Sequence, residues 1–293
     1  MRLAAYIALS VQTLIAAGTF LVAKDATGRF APQELVWFRI VLAGILVSSA
    51  YLIVARKEPR PSGRDLATLA FLGVLGTTIN QGFFLFGLAK STPLHAALLY
   101  AFTPVFVLVG SRLFLGQPIT GRRVAGLVLA VSGVALILTA QGLSLADGPL
   151  QGDLLILIAV AAWALYTVIG KGVLTRVRPF TMIAWAFLFG ALSMIPFAPW
   201  VLDGFDFRSP GLRGWLDVLY LSAVTSGVAF TLWYYALRRL DATQVAVFTN
   251  LQPPATAVLA WMVYGTVPGP QLAVGGALVL AGVFAVQWRR RTA

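Results

Sequence analysis

The side chains best able to do chemistry in this chain are polar groups embedded in long apolar runs. Two pairs fall near the midpoints of such runs: Gln12 with Thr13, and Asn80 with Gln81. Two more groups lie within about a turn before a proline: Tyr100 and Thr103 before Pro104, and Thr249, Asn250 and Gln252 before Pro253. On a regular helix, positions 100 and 103 share a face, as do 249 and 252. An unpartnered amide is costly in hydrocarbon. These groups therefore face either a water-filled cavity or the polar groups of a neighbouring helix, and the spacing fits both. The chemistry on offer is recognition of a small polar solute by hydrogen bonds. Trp163, Tyr166, Trp185, Trp233 and Tyr234 supply aromatic walls for it, or else serve as packing and interfacial residues.

Catalysis would require a positioned acid and base, an activated nucleophile or clustered metal ligands. The chain has one His and no Cys. Its acids, among them Asp25, Glu34, Glu58, Asp65, Asp203 and Asp241, sit in or beside the connections between apolar runs. The expectation is that the chain is not an enzyme and holds no metal and no cofactor. Intramembrane carboxylates or His usually carry proton relays. Their absence from the midplane points to little or no proton coupling. Arg39 is the only ionisable residue well inside a run. It is expected to snorkel outward or pair with Glu34, with the grip of a substrate carboxylate as the other reading. Lys24 and Lys171 read as interfacial anchors.

The elements that position these residues follow from hydropathy. Hydrophobic residues make up 59% of the 293, charged residues 11%, and mean hydropathy is +0.86. A soluble chain carries about 25% charged residues, so this surface must face lipid. Ten runs near the 20-residue length of a spanning helix are found: Leu3–Ala23, Leu35–Val54, Leu66–Leu88, Leu94–Phe114, Val124–Ala140, Leu150–Gly170, Phe180–Val201, Trp215–Leu237, Ala242–Tyr264 and Gln271–Trp288. Gly265, Pro268, Gly269 and Pro270 separate the last two. Arg2 before the first run suits a signal peptide, but the run reads as the first spanning helix. With both termini cytoplasmic, sixteen of the 22 Lys and Arg lie inside, including Arg56, Arg178 and Arg289–Arg291, and five lie outside. That distribution explains the net charge of +12 without nucleic acid as a partner. No phosphate-binding Gly-rich loop is present, so nothing points to a nucleotide-driven motor.

The chain repeats itself: residues 1–147 and 148–293 each hold five runs. Matched positions 149 apart include Leu88 and Leu237, Pro104 and Pro253, Gly116 and Gly265, Gly126 and Gly275, and Gly133 and Gly282. Nearer the start of each half the spacing is 147, joining Lys24 to Lys171 and Pro32 to Pro179. Five runs per half invert the second half, and the basic loops change sides accordingly. Inverted repeats of this kind place a binding site between the halves. The matched prolines, near mid-run, read as hinges.

These features together resemble the drug/metabolite transporter superfamily in its ten-helix form with two EamA-type repeats. The resemblance spans essentially the whole chain. It is carried by the runs ending at Lys24 and Lys171, by Pro32 followed by Arg39, by the stretches 92–104 and 242–253, and by the Gly-rich closing helices. One departure is that an aromatic frequent in the family's first helix is present as Trp163 but replaced by Ala16 in the first half. The resemblance implies an all-α integral membrane fold in a bacterial-type plasma (inner) membrane. It also implies a secondary transporter that exports small metabolites by alternating access, with neutral or aromatic amino acids as the nearest fit. A proton-coupled exporter of drugs or other metabolites, or a channel-like facilitator, stands as the alternative. Its partners are then a small-molecule substrate and the lipid bilayer, as monomer or homo-oligomer.

Overall fold

The computed structural model describes residues 2–55, 57–91, 93–140, 150–265 and 269–287. The expected boundary between repeats at 147/148, Arg56, Pro268 and Arg289–Arg291 lie outside the described residues. Among the described residues every regular element is helical. We label the segments α1 (Arg2–Thr27), α2 (Pro32–Val54), α3 (Gly63–Lys90), α4 (Pro93–Tyr100 followed by Thr103–Leu115) and α5 (Gly121–Ala140). The second half supplies α6 (Leu150–Val173), α7 (Pro179–Leu202), α8 (Gly211–Leu237), α9 (Ala242–Ala246, Val247–Leu251 and Gln252–Tyr264) and α10 (Pro270–Gln287).

Eight helices are long and apolar enough to cross a membrane, α4 being counted from Leu98 to Leu115; α5 and α9 are not among them. By that measure the described residues support eight crossings where hydropathy led to ten. The protein is a multi-pass membrane protein. Large apolar side chains cover its outer surface, including Leu52, Ile53, Val54, Leu113, Phe114, Leu212 and Phe284. Hydrocarbon is the solvent such a surface requires.

The two halves interlock. α1 packs on α8 and α9 of the second half, and α6 packs on α3 and α4 of the first. α2 lies against α7, and α5 against α10. The last contact runs antiparallel, because Gly126 meets Gly282 while Gly133 meets Gly275. Since Gly126 corresponds to Gly275 and Gly133 to Gly282, the contact maps onto itself when the halves are exchanged. Small residues let the two backbones approach closely there. A Cβ on Gly126 would sit 2.8 Å from the Gly282 carbonyl oxygen, and one on Gly275 would sit 2.7 Å from that of Gly133.

The two ends of the bundle are distinct. One, the Lys24 face, carries the α1–α2 connection, where Phe30 meets Trp215 edge-to-face at 5.4 Å and Arg213 pairs with Asp25 at 2.8 Å. At the opposite Lys171 face three ion pairs join the halves: Arg123 with Asp241 at 2.6 Å, Arg176 with Asp65 at 2.8 Å and Arg178 with Glu58 at 3.0 Å.

Replacing Gly133 by Val tests the α5–α10 contact. The new Cβ would meet the Gly275 carbonyl oxygen and, at 2.9 Å, the Leu278 Cβ, a backbone clash costing about 1–3 kcal/mol. The thermal midpoint in detergent should fall by several degrees. Gly276→Ala, whose Cβ meets nothing within 4 Å, should leave it unchanged. Equal midpoints for the two variants would contradict this packing.

Candidate functional site

Four stretches of irregular backbone surround the centre of the bundle. α3 widens into a π-helix at Val74–Ile79, and α8 does so at Tyr220–Ala229. Hydroxyls occupy carbonyls there: Thr77 Oγ1 donates to Gly73 O at 2.6 Å, and Ser226 Oγ to Leu221 O at 2.9 Å. α4 breaks at residues 101–102. Pro104 has no N–H for the Tyr100 carbonyl four residues earlier, and Thr103 Oγ1 donates to that carbonyl at 2.6 Å instead. α9 tightens into a 3-10 stretch, Val247–Leu251, immediately before Gln252 and Pro253. Gly116 and Gly265, at φ 65° and 71°, end the broken helices in the left-handed conformation that glycine tolerates.

Between these stretches lies a cavity of about 100 Å³. Of the residues expected at a site, Gln12, Asn80, Gln81, Tyr100, Trp163, Thr249 and Gln252 line it, and so does Trp233. The others lie elsewhere. Tyr166 and Tyr234 are core residues, with the Tyr166 ring against Gly76 and Tyr234 OH donating to Tyr166 O at 3.1 Å. Trp185 packs on Phe189 at 5.9 Å. Thr13 and Asn250 are buried behind the wall. Thr103 is buried, its Oγ1 turned back to the Tyr100 carbonyl, and it does not line the cavity.

Asn80 is the hub of the polar wall. Its Nδ2 donates to Ala159 O of α6 at 2.8 Å and to Tyr100 OH at 3.2 Å, while its Oδ1 accepts from Gln81 Nε2 at 2.6 Å. Trp163 meets Phe230 at 5.1 Å and Trp233 at 5.5 Å on the aromatic wall. Three fully buried polar atoms of the lining residues have no protein partner: Gln12 Oε1, Arg39 Nε and Trp233 Nε1. Buried polar atoms in folded proteins are normally hydrogen-bonded, so these stand ready for a guest.

Arg39 corrects a sequence expectation. It neither snorkels nor pairs with Glu34; it is 3% exposed and lines the cavity. Glu34 Oε2 instead accepts the Ala31 N–H at 2.7 Å, capping the start of α2. Five residues separate the two, which places them about 140° apart around a helix. Arg39 falls on the inward face with Leu35, Phe38 and Ala43.

Two stretches of the chain, residues 3–139 and 150–288, match the EamA-like transporter family model. The chain belongs to the EamA-like transporter family. An uncharacterized transporter of Archaeoglobus fulgidus is 32% identical over 95% of this chain and 96% of its own length. A probable terminal-alkyne amino-acid exporter of Streptantibioticus cattleyicolor is 30% identical, covering 85% of this chain and 83% of its own. One protein of known crystal structure superposes with a TM-score of 0.77 at 21% identity, over 97% of this chain and 95% of that one. That likeness shows the fold alone.

Within this EamA-family chain the two repeats use matched positions to build unlike walls. Asn80 and Ala229, Gln81 and Phe230, Phe84 and Trp233, and Tyr100 and Thr249 are mates 149 residues apart, and all eight line the cavity. Ala16 and Trp163, mates 147 apart, line it as well. The first repeat thus supplies three amides, the Tyr100 phenol and Arg39 beside Phe20 and Phe84, and the second supplies both indoles and Phe230 beside Thr225, Thr249 and Gln252. Sequence reading missed Thr19, Phe20, Phe84, Thr225, Ala229 and Phe230 as lining residues, and gave Arg39 such a place only as its second reading. The repeat carried a missing signal for Ala229, Phe230 and Phe84, the mates of Asn80, Gln81 and Trp233.

Asn80→Ala leaves the Ala159 carbonyl without its side-chain donor, at about 1–3 kcal/mol. Its thermal midpoint should drop clearly below that of Gln81→Ala, whose amide bonds only to Asn80. Indistinguishable midpoints would remove Asn80 from its place as the hub.

Proposed function

We propose that this chain exports small amphipathic metabolites, neutral or aromatic amino acids foremost, by alternating access with little or no proton coupling. The observation that carries this reading is the single cavity that both repeats line at mated positions. Inverted repeats around a central site are the architecture of secondary transport. The amino-acid substrate draws support from the S. cattleyicolor relative, named a probable terminal-alkyne amino-acid exporter. Amides and a phenol facing indoles suit a solute with a polar head and an apolar or aromatic tail.

In this reading ten crossings set both termini in the cytoplasm of a bacterial-type plasma membrane, with the Lys171 face inside and the Lys24 face outside, as the Lys and Arg distribution favours. Pro104 and Pro253 are the hinges: each sits just after a break that frees half a helix to tilt. Among the described residues no Asp, Glu or His lines the cavity, which favours movement of substrate down its own gradient over a proton-driven drug exporter. The chain acts as a carrier, not an enzyme.

Reconstituted vesicles provide the test. Uptake of an aromatic amino acid should saturate and should not change when the pH gradient is collapsed. Tyr100→Phe, Trp163→Ala and Gln252→Ala should each raise KM up to about tenfold, the equivalent of about 1.4 kcal/mol. Strict dependence on a proton gradient would overturn the uncoupled reading, and non-saturable flux would overturn the carrier.

A further inference from the structure

A buried guanidinium without a counter-ion is the least explained group in the molecule. Arg39 lies in a crossing helix at 3% exposure, lines the cavity, and its Nε has no partner. Among the described residues no hydrogen bond or ion pair reaches its side chain. Its own carbonyl is bonded by Ser222 Oγ at 3.1 Å, which ties the α2 backbone to α8 and leaves the guanidinium free. Among the described residues no Asp or Glu lines the cavity to balance it. An unpaired charge at such depth is costly, so its occupant should bring the opposite charge.

We propose that Arg39 is the anchor for a substrate carboxylate, and that the cavity selects monocarboxylates with an apolar or aromatic tail over organic cations. This rests on the cavity being the substrate site. A guanidinium presents donors in a fork that matches a carboxylate. Asn80, Gln81 and Tyr100 supply neutral hydrogen-bonding groups on the same repeat, while Trp163, Phe230 and Trp233 supply the tail's surface on the other. The unpartnered Gln12 Oε1 is an acceptor for an ammonium group, so an α-amino acid is accommodated and a bare cation meets like charge. Arg39 has no equivalent across the repeat, where the mate 147 residues on is Ala186. One carboxylate therefore fits in one orientation.

The test compares L-phenylalanine, 3-phenylpropionate and phenylalaninamide by thermal stabilisation of the purified protein, with vesicle flux measured in parallel. Both carboxylates should bind at least tenfold tighter than the amide, and Arg39→Gln should erase the difference. Arg39→Met, which removes an unpaired buried charge, should unfold at the same or a higher temperature than the parent while losing carboxylate binding. A residue kept for packing would give the opposite. Equal binding of acid and amide, no binding of either acid, or discrimination surviving in Arg39→Gln overturns the anchor, even if flux persists. Binding with the expected discrimination but no saturable flux overturns the transport reading and leaves the anchor standing.

Independently, the two matched lysines have unlike surroundings. Lys171 Nζ, on α6, donates to the Leu237 carbonyl and, at 2.8 Å, to that of Leu240, capping the C-terminal end of α8. Lys24 on α1 is exposed, and no partner for its ammonium is found among the described residues. The mates of Leu237 and Leu240 are Leu88 and Ser91, at the end of α3. We infer that the lysines are alternating latches: Lys171 closes its face in this conformation, and in the exchanged one Lys24 docks on the Leu88 and Ser91 carbonyls while Lys171 lets go. The chain has no Cys, so a single Thr19→Cys in the cavity wall reports access to a membrane-impermeant maleimide added outside intact cells. Lys24→Gln should raise the labelling rate severalfold and Lys171→Gln should lower it. The exposed Lys24 can be changed without threat to folding, so an unaltered rate in Lys24→Gln, or shifts of the same sign in both variants, overturns the latch.

Discussion

Hydrocarbon offers no partner to a free backbone N–H or C=O, and the rest of this structure follows from that constraint. Irregular backbone at membrane depth is tolerated only where protein buries it or where it lines a cavity. The π-helical stretches of α3 and α8, the break in α4 and the 3-10 stretch of α9 all obey it, because they converge on the same central space. Their displaced carbonyls are taken up by hydroxyls, as at Thr77, Thr103 and Ser226. Side chains carried on or beside these stretches, from Asn80 and Tyr100 to Thr225, Thr249 and Gln252, line the cavity together with others from the regular helices α1, α2 and α6.

Exchange of partners between the halves holds that arrangement together. Each repeat lends its first helix to the third and fourth helices of the other, so neither half completes its own packing. The glycine contact between α5 and α10 fixes the axis about which the halves correspond. Correspondence of backbone does not extend to side chains. Where the first repeat has Asn80 and Gln81, the second has Ala229 and Phe230; where the second has Trp163, the first has Ala16. A symmetric frame thereby surrounds a site that holds more amides and the one guanidinium on the first repeat and both indoles on the second, which suits an amphipathic solute.

Much of this was legible in the amino-acid sequence because hydrocarbon imposes strong compositional rules. The second run, read as Leu35–Val54, is the helix Pro32–Val54, and the prolines at 104 and 253 mark real breaks. Seven of the thirteen expected site residues border the cavity; the rest show where the rules end. Apolarity specifies that a residue lies in a helix, not which neighbour its face meets, so Trp185 and Tyr234 were as plausible as Trp163. Spacing alone does not tell that the Thr103 hydroxyl is spent on the Tyr100 carbonyl and stays out of the cavity, whereas Thr249 and Gln252 both reach it across a 3-10 stretch that, at three residues per turn, eclipses them. Arg39 was misjudged because its cost in lipid argued for escape to water, and only the packing of α2 against α8 reveals that it turns inward. The π-helical stretches left no mark in composition.

Alternating access presents one central site to the two sides of the membrane in turn. Counterflow measures that directly: vesicles loaded with unlabelled phenylalanine are diluted into a trace of the labelled amino acid. A carrier with a single alternating site should transiently accumulate label above its external concentration, and the overshoot should vanish when the vesicles are empty. Simple equilibration without overshoot, at any loading, would contradict alternating access through this cavity.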